Sequence, residues 1–142
     1  MSHTSRSKKV TNIEFPGSNI KTTPEDFQSF VAEIQLWVDR LGLHEYDIDI
    51  YHADLLSRGE QARIETWESQ KRADFYYSTK LPPGVTPNPK FSARHEVFHL
   101  LLSRMVWLAT MYGSHKVDFK LIDTEWERLA NVLAYIGGEL QP

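Results

Sequence analysis

Cysteine is absent from the sequence, so no disulfide and no thiolate metal site can form, and the fold has to be held by its core. No apolar run approaches the roughly 20 residues needed to cross a bilayer. The N-terminus also lacks the apolar stretch of a secretory leader, so the expected location is the cytoplasm, with no membrane partner. An excess of positive charge is missing too. The formal net charge is −3, and because Arg6, Lys8 and Lys9 stand without an acid in the first ten residues, residues 11–142 carry −6. A nucleic-acid surface is therefore not expected. Finally, neither Gly nor Pro occurs from Lys90 through Tyr112, so nothing in that stretch gives a helix a reason to break.

What is present is enough for one folded unit. A chain of 142 residues with 41% hydrophobic and 12% aromatic content can build a single core. Residues 1–10, rich in Ser and cations, bury too little to fold and read as a disordered tail, which leaves residues 11–142 as one domain. Residues 11–22, with Ile13, Phe15 and Ile20 around Pro16-Gly17, read as a strap that lies on the core and turns once. Thr23 then caps a helix whose first position is Pro24, with Glu25 and Asp26 at the positive end of its dipole. Its apolar positions Phe27, Phe30, Val31, Ile34, Val38 and Leu41 share one face, and Gly42 ends it.

Residues 45–51 alternate with period two, placing Asp47 and Asp49 on the solvated face opposite Ile48 and Ile50. Two further strands are predicted at 61–67 and 73–78, around the charged turn 68–72. The fold class is thus α+β: a small, mostly antiparallel three-stranded sheet packed with an N-terminal helix and two later helices. Asp74-Phe-Tyr-Tyr77 suits either a strand to which a peptide substrate adds, or aromatics packing across neighbouring strands.

The chemistry lies in His95-Glu96-Val97-Phe98-His99, an HExxH box in an apolar, helix-forming run. Residues four apart on a helix stack on one face, so His95 and His99 can hold one zinc ion, while Glu96, about 100° round the axis, can take a proton from a water on the metal. Asn88 and Pro89 form the cap and first position of this helix, and the apolar spacing of Phe91, Phe98, Leu102, Met105, Ala109 and Tyr112 carries it to a stop at Gly113. The extended pattern HExxHxxGxxH is absent, since Leu102 and Met105 stand where Gly and His would be.

Two candidates remain for the third ligand, His115 and an acid in the last helix. A helix reaching Tyr112 carries the chain about 20 Å from His99 at 1.5 Å per residue, which takes His115 out of reach. The returning segment has its own stripe at Ile122, Trp126, Leu129, Leu133 and Ile136, with Gly137-Gly138 as its stop. Glu127 and Asn131 fall level with His99, beside Ala130 and Ala134, whose small side chains allow close approach. Glu127 is the expected ligand. As an alternative, Thr124-Glu-Trp-Glu127 also fits a capping box that would use Glu127 for the helix start.

His95-Glu-Val-Phe-His99 followed by Glu127-Arg-Leu-Ala-Asn-Val-Leu-Ala134 resembles the HExxH…ExxA(N/D)xxA pattern of small gluzincin-type metallopeptidases, notably ImmA/IrrE-like proteins and compact metallopeptidases of phages and prophages. The resemblance covers residues 88–136. It implies a minimal zincin-like domain in which His95, His99 and Glu127 ligate zinc, Glu96 is the general base, and Asn131 orients a ligand by hydrogen bonding. Phe98 departs from the Gly common in relatives, and Asn131 from the Asp of several gluzincins. A rival likeness, of His115-Lys-Val-Asp-Phe-Lys120 to the HGxxFxxLM region of SprT-like metalloproteases, would make His115 the third ligand; Lys116 replaces its Gly.

These readings imply a zinc metallopeptidase acting on a peptide or protein, with Tyr76, Tyr77, Tyr112 and His115 as candidate oxyanion donors. The alternative class is a non-catalytic zincin-like module that uses the site for stability or docks a protein partner in a phage or stress-response circuit.

Overall fold

A computed structural model describes residues 19–112 and 119–139. The expected tail, residues 11–18 of the strap, the Gly113 stop and His115 lie outside the described residues, as does the side chain of Tyr112.

The first helix, α1 (Pro24–Arg40), starts as its sequence dictates. Thr23 Oγ1 accepts from the Asp26 N–H at 3.0 Å while Asp26 accepts from the Thr23 N–H at 2.9 Å, a reciprocal cap. Its C-cap is Leu41, and Gly42 follows in the left-handed conformation at φ +65°, which costs a glycine nothing. The buried face holds Phe27, Phe30, Val31, Ile34, Trp37 and Val38, together with one carboxylate, Glu33.

Preceding α1, β1 (Ile20–Lys21) pairs antiparallel with β5 (Lys80–Leu81) in a two-stranded sheet that the sequence did not announce. The larger sheet contains β2 (Asp47–Ala53), β3 (Ala62–Trp67) and β4 (Arg72–Ser78) in the order β2-β4-β3. The pairing of β3 with β4 is antiparallel and that of β2 with β4 is parallel, which corrects the mostly antiparallel sheet expected from alternation. Alternation fixes which side chains face the core but carries no strand direction. Because β4 is paired on both edges, it cannot be the strand to which a peptide adds. The outer strands are β2 and β3.

One face of the sheet, with Ile48, Ile50, Ala73, Phe75 and Tyr77, packs on α1 and on α2 (Pro89–Tyr112) in a single hydrophobic cluster. On the opposite face Tyr51 stacks on Tyr76 with ring centroids 5.2 Å apart, and Arg72 lies 3.2 Å from Asp74 and 3.9 Å from Asp49. Asp47 is exposed there.

As expected, α2 is one unbroken helix. Asn88 Oδ1 caps it by accepting from the Phe91 N–H at 3.2 Å. Its burial is concentrated before Ser103; the predicted stripe surfaces beyond that point, where Met105 is 68% exposed.

The last helix, α3 (Phe119–Glu139), runs antiparallel to α2: Trp126 meets His99, Ala134 meets Arg94 and Tyr135 meets Phe91. Gly137 and Gly138 do not stop it but lie inside it. A Cβ on Gly137 would stand 3.2 Å from two Trp37 ring atoms, and one on Gly138 would stand 2.9 Å from Arg94 Nη2. These glycines serve close approach. The contact line is Ala130, Ala134 and Gly137, flanked by Trp126 and Leu133 of the predicted stripe, whose Ile136 is 46% exposed. Among the described residues no helix is long and apolar enough to cross a membrane.

Candidate metal centre

Three side chains converge between α2 and α3. His95 Nε2 and His99 Nε2 lie 2.9 Å apart, and the Glu127 carboxylate reaches them at 3.4 Å and 3.0 Å respectively. Ligands of a tetrahedral zinc at about 2.0–2.1 Å stand roughly 3.3 Å from one another, and the imidazole pair and the approach of Glu127, through Oε2 to His95 and Oε1 to His99, are on that scale. His95, Glu96 and His99 place one ligand atom each within 4.8 Å of one another, a cluster that could hold a metal ion. Glu127 completes the convergence from the facing helix.

Glu127 does not belong to a helix start. Because α3 begins at Phe119, Thr124 is an interior residue whose hydroxyl donates to the Lys120 carbonyl at 2.9 Å, which removes the capping-box alternative.

Burial sets the electrostatics. His99 is 4% exposed, and burial, with His95 beside it, pushes its pKa down to about 3. It is therefore neutral at physiological pH, the form in which imidazole ligates, and its contact with Glu127 is not an ion pair. Burial raises Glu96 to about 8, helped by the negative charges of Glu127 and Glu60. Without a cation Glu96 thus holds a proton at neutral pH; a nearby cation favours its carboxylate form, so binding one releases that proton.

The surroundings fit the donor set with two departures. A ligating histidine usually donates through its other ring nitrogen, yet His99 Nδ1 is buried without a partner among the described residues. The indole edge of Trp126 packs against this ring at 4.7 Å between centroids. Asn131 lines the cleft and is exposed, with no hydrogen bond to His95, His99 or Glu127. The expected orienting contact is thus not made.

The cleft beside these residues has a volume of about 380 Å³ and takes its far wall from Glu60, Gln61 and Ala62 at the start of β3. Neither Tyr76 nor Tyr77 lines it. Tyr76 faces away from the helices, and Tyr77 is fully buried against Phe30, with its hydroxyl unpartnered among the described residues and its pKa raised by burial.

A second constellation escaped the sequence reading. Arg94, the residue before His95, donates from Nη1 to Glu33 on α1 at 3.0 Å and from Nε to the Ala134 carbonyl on α3 at 3.1 Å. The indole of Trp37 donates to the same Glu33 oxygen at 2.8 Å. This buried clamp joins all three helices. Its signal was available: Glu33 and Arg94 are charges set within apolar faces, and charges rarely stay there unless paired.

Compared with models of known protein families, with curated proteins and with solved structures, the chain finds no match.

Proposed function

We propose that the protein is a zinc-dependent metallopeptidase with a minimal zincin-like arrangement, in which His95, His99 and Glu127 hold the metal and Glu96 is the general base. The observation that carries this reading is the Glu127 carboxylate, brought from a different helix to 3.0 and 3.4 Å from the two stacked imidazoles. When bound, zinc supplies a polarised carbonyl and a water of lowered pKa. Glu96, buried beside the ligands, accepts the proton of the attacking water and returns it to the departing amine nitrogen. A peptide laid in extended form along the outer edge of β3 would pass Ala62 and cross the cleft in front of Glu96, with β3 rather than β4 as the strand that receives it.

The test joins metal content to turnover. The purified chain should carry about one zinc, and Glu96→Gln should keep that zinc while losing hydrolysis of a fluorogenic peptide library. Absence of zinc after reconstitution, with His95→Ala indistinguishable from wild type, would falsify the site.

A further inference from the structure

A peptidase needs a donor for the carbonyl oxygen that gains charge, and the predicted tyrosines Tyr76 and Tyr77 do not reach the cleft. Of the groups that line it, Glu60, Glu96 and Glu127 are acids and His95 is a ligand in the proposed reading. Neutral N–H and O–H donors come from Gln61, Ser92 and Asn131. The Ser92 hydroxyl is engaged with Gln61 at 3.2 Å, and Asn131 is exposed, with no partner for its carboxamide among the described residues.

Gln61 differs from both. Its Oε1 accepts from the Asn88 backbone N–H at 2.9 Å and from Ser92 Oγ at 3.2 Å. A backbone N–H can only donate, so the atom facing Asn88 is the oxygen and the amide flip is fixed. The NH₂ group therefore points away from both partners and has none of its own among the described residues. Ser92 and Glu96 occupy successive turns of one face of α2, so the carboxamide held by Ser92 stands one turn from the general base. A neutral donor fixed in place before substrate arrives costs no reorganisation during reaction.

We propose that the Gln61 carboxamide N–H donates to the carbonyl oxygen of the scissile peptide group; this rests on the peptidase reading above. As the water oxygen bonds to the carbonyl carbon, the C=O π pair moves onto the oxygen that Gln61 faces, and the water's proton passes to Glu96. When the C–N bond breaks, that pair returns and the amine takes the proton. Gln61 ends unchanged.

The competing role for Gln61 is a pin for the start of α2, and two variants separate the two. Gln61→Glu keeps oxygens for Asn88 and Ser92 but loses the donor, whereas Gln61→Met loses both. Three measurements are made on the full zinc-loaded chain and its metal-free form: kcat and KM on the best substrate from a fluorogenic peptide library, affinity for the matching phosphinate peptide by calorimetry, and thermal midpoint. Both variants should lose about 100-fold in kcat with little change in KM, the scale for one oxyanion donor. Phosphinate affinity should fall by a similar factor. Gln61→Glu should melt like wild type, and Gln61→Met lower. If Gln61→Glu keeps wild-type kcat and phosphinate affinity, Gln61 is only a pin and the proposal is overturned, with the peptidase reading intact. If zinc-loaded wild type cleaves no library peptide and binds no phosphinate, the peptidase reading falls and takes this inference with it.

Discussion

The two halves of the candidate centre are built differently. His95, Glu96 and His99 sit on α2, in a segment enclosed by α1, the sheet and α3, where Val97 and Leu100 are fully buried and His99 nearly so. Glu127 sits on α3 with its side chain 62% exposed. Its helix meets the rest of the protein through a line of small residues, Ala130, Ala134 and Gly137, and through the Arg94–Glu33 clamp. The core thus sets the positions of two ligand candidates. The third takes its position from a helix whose register is held at two points: beside Glu127, where Trp126 packs against His99, and about 10 Å along its axis, where Ala134 meets Arg94, seven residues beyond Glu127.

The largest effect should come from breaking that register. Arg94→Ala leaves Glu33 buried without its guanidinium partner, and removing one member of a buried pair costs about 3–5 kcal/mol. Urea unfolding should show that loss, and zinc affinity should fall although no ligand has been touched. An unchanged zinc affinity in Arg94→Ala would mean that Glu127 is positioned independently of the clamp.

Next in size is the ligand itself. Glu127→Ala should weaken zinc by more than the roughly 10–100-fold that losing a ligand's hydrogen-bonding partner costs, while His115→Ala should barely change it. Competitive zinc titration ranks the two. A larger loss for His115→Ala sinks the Glu127 assignment and restores the SprT-like alternative.

A smaller effect should separate the sheet side from the metal side by pH. His52 on β2 stacks on Phe27 at 4.8 Å and pairs through Nε2 with Thr22 Oγ1 at 2.7 Å. Burial lowers its pKa below the ordinary 6.5, outweighing the Ser78 carbonyl and the charge of Asp26, which act the other way. The unfolded chain therefore binds this proton first. Its contribution to stability is full above about pH 6.5 and falls as pH drops below that toward the folded-state value. Metal-free unfolding curves at decreasing pH should show the decline, to which buried His99 contributes in the same direction, and His52→Gln should make it shallower without abolishing it. If the slope in His52→Gln is as steep as in wild type, His52 makes no contribution to it.

Local chemistry made much of this legible. Thr23-Pro24 gave the start of α1, the Gly- and Pro-free run gave α2 its full length, and the three main strands followed from alternation and turns. Counting residues along two antiparallel helices also placed Glu127 opposite the histidines, because helical rise is nearly constant. What stayed hidden depends on partners distant in sequence. The parallel pairing of β2 with β4, the short β1–β5 ladder and the Gln61 contact with Asn88 have no local signature. Gly137-Gly138 misled for a related reason: the same residue type ends a helix or lets a neighbour approach, and the choice lies with Trp37 and Arg94, far away in the chain.

The strand order also has a kinetic consequence. β3 and β4 are joined by the tight turn around Glu68–Lys71, so they can zip as a hairpin on a scale of about 1–10 µs. β2 has to wait until the whole of residues 54–71 has looped back, because its only hydrogen-bonded neighbour in that sheet is β4. The wall of the cleft that bears Gln61 is thus assembled from nearby chain, and the edge bearing His52 is added to it afterwards.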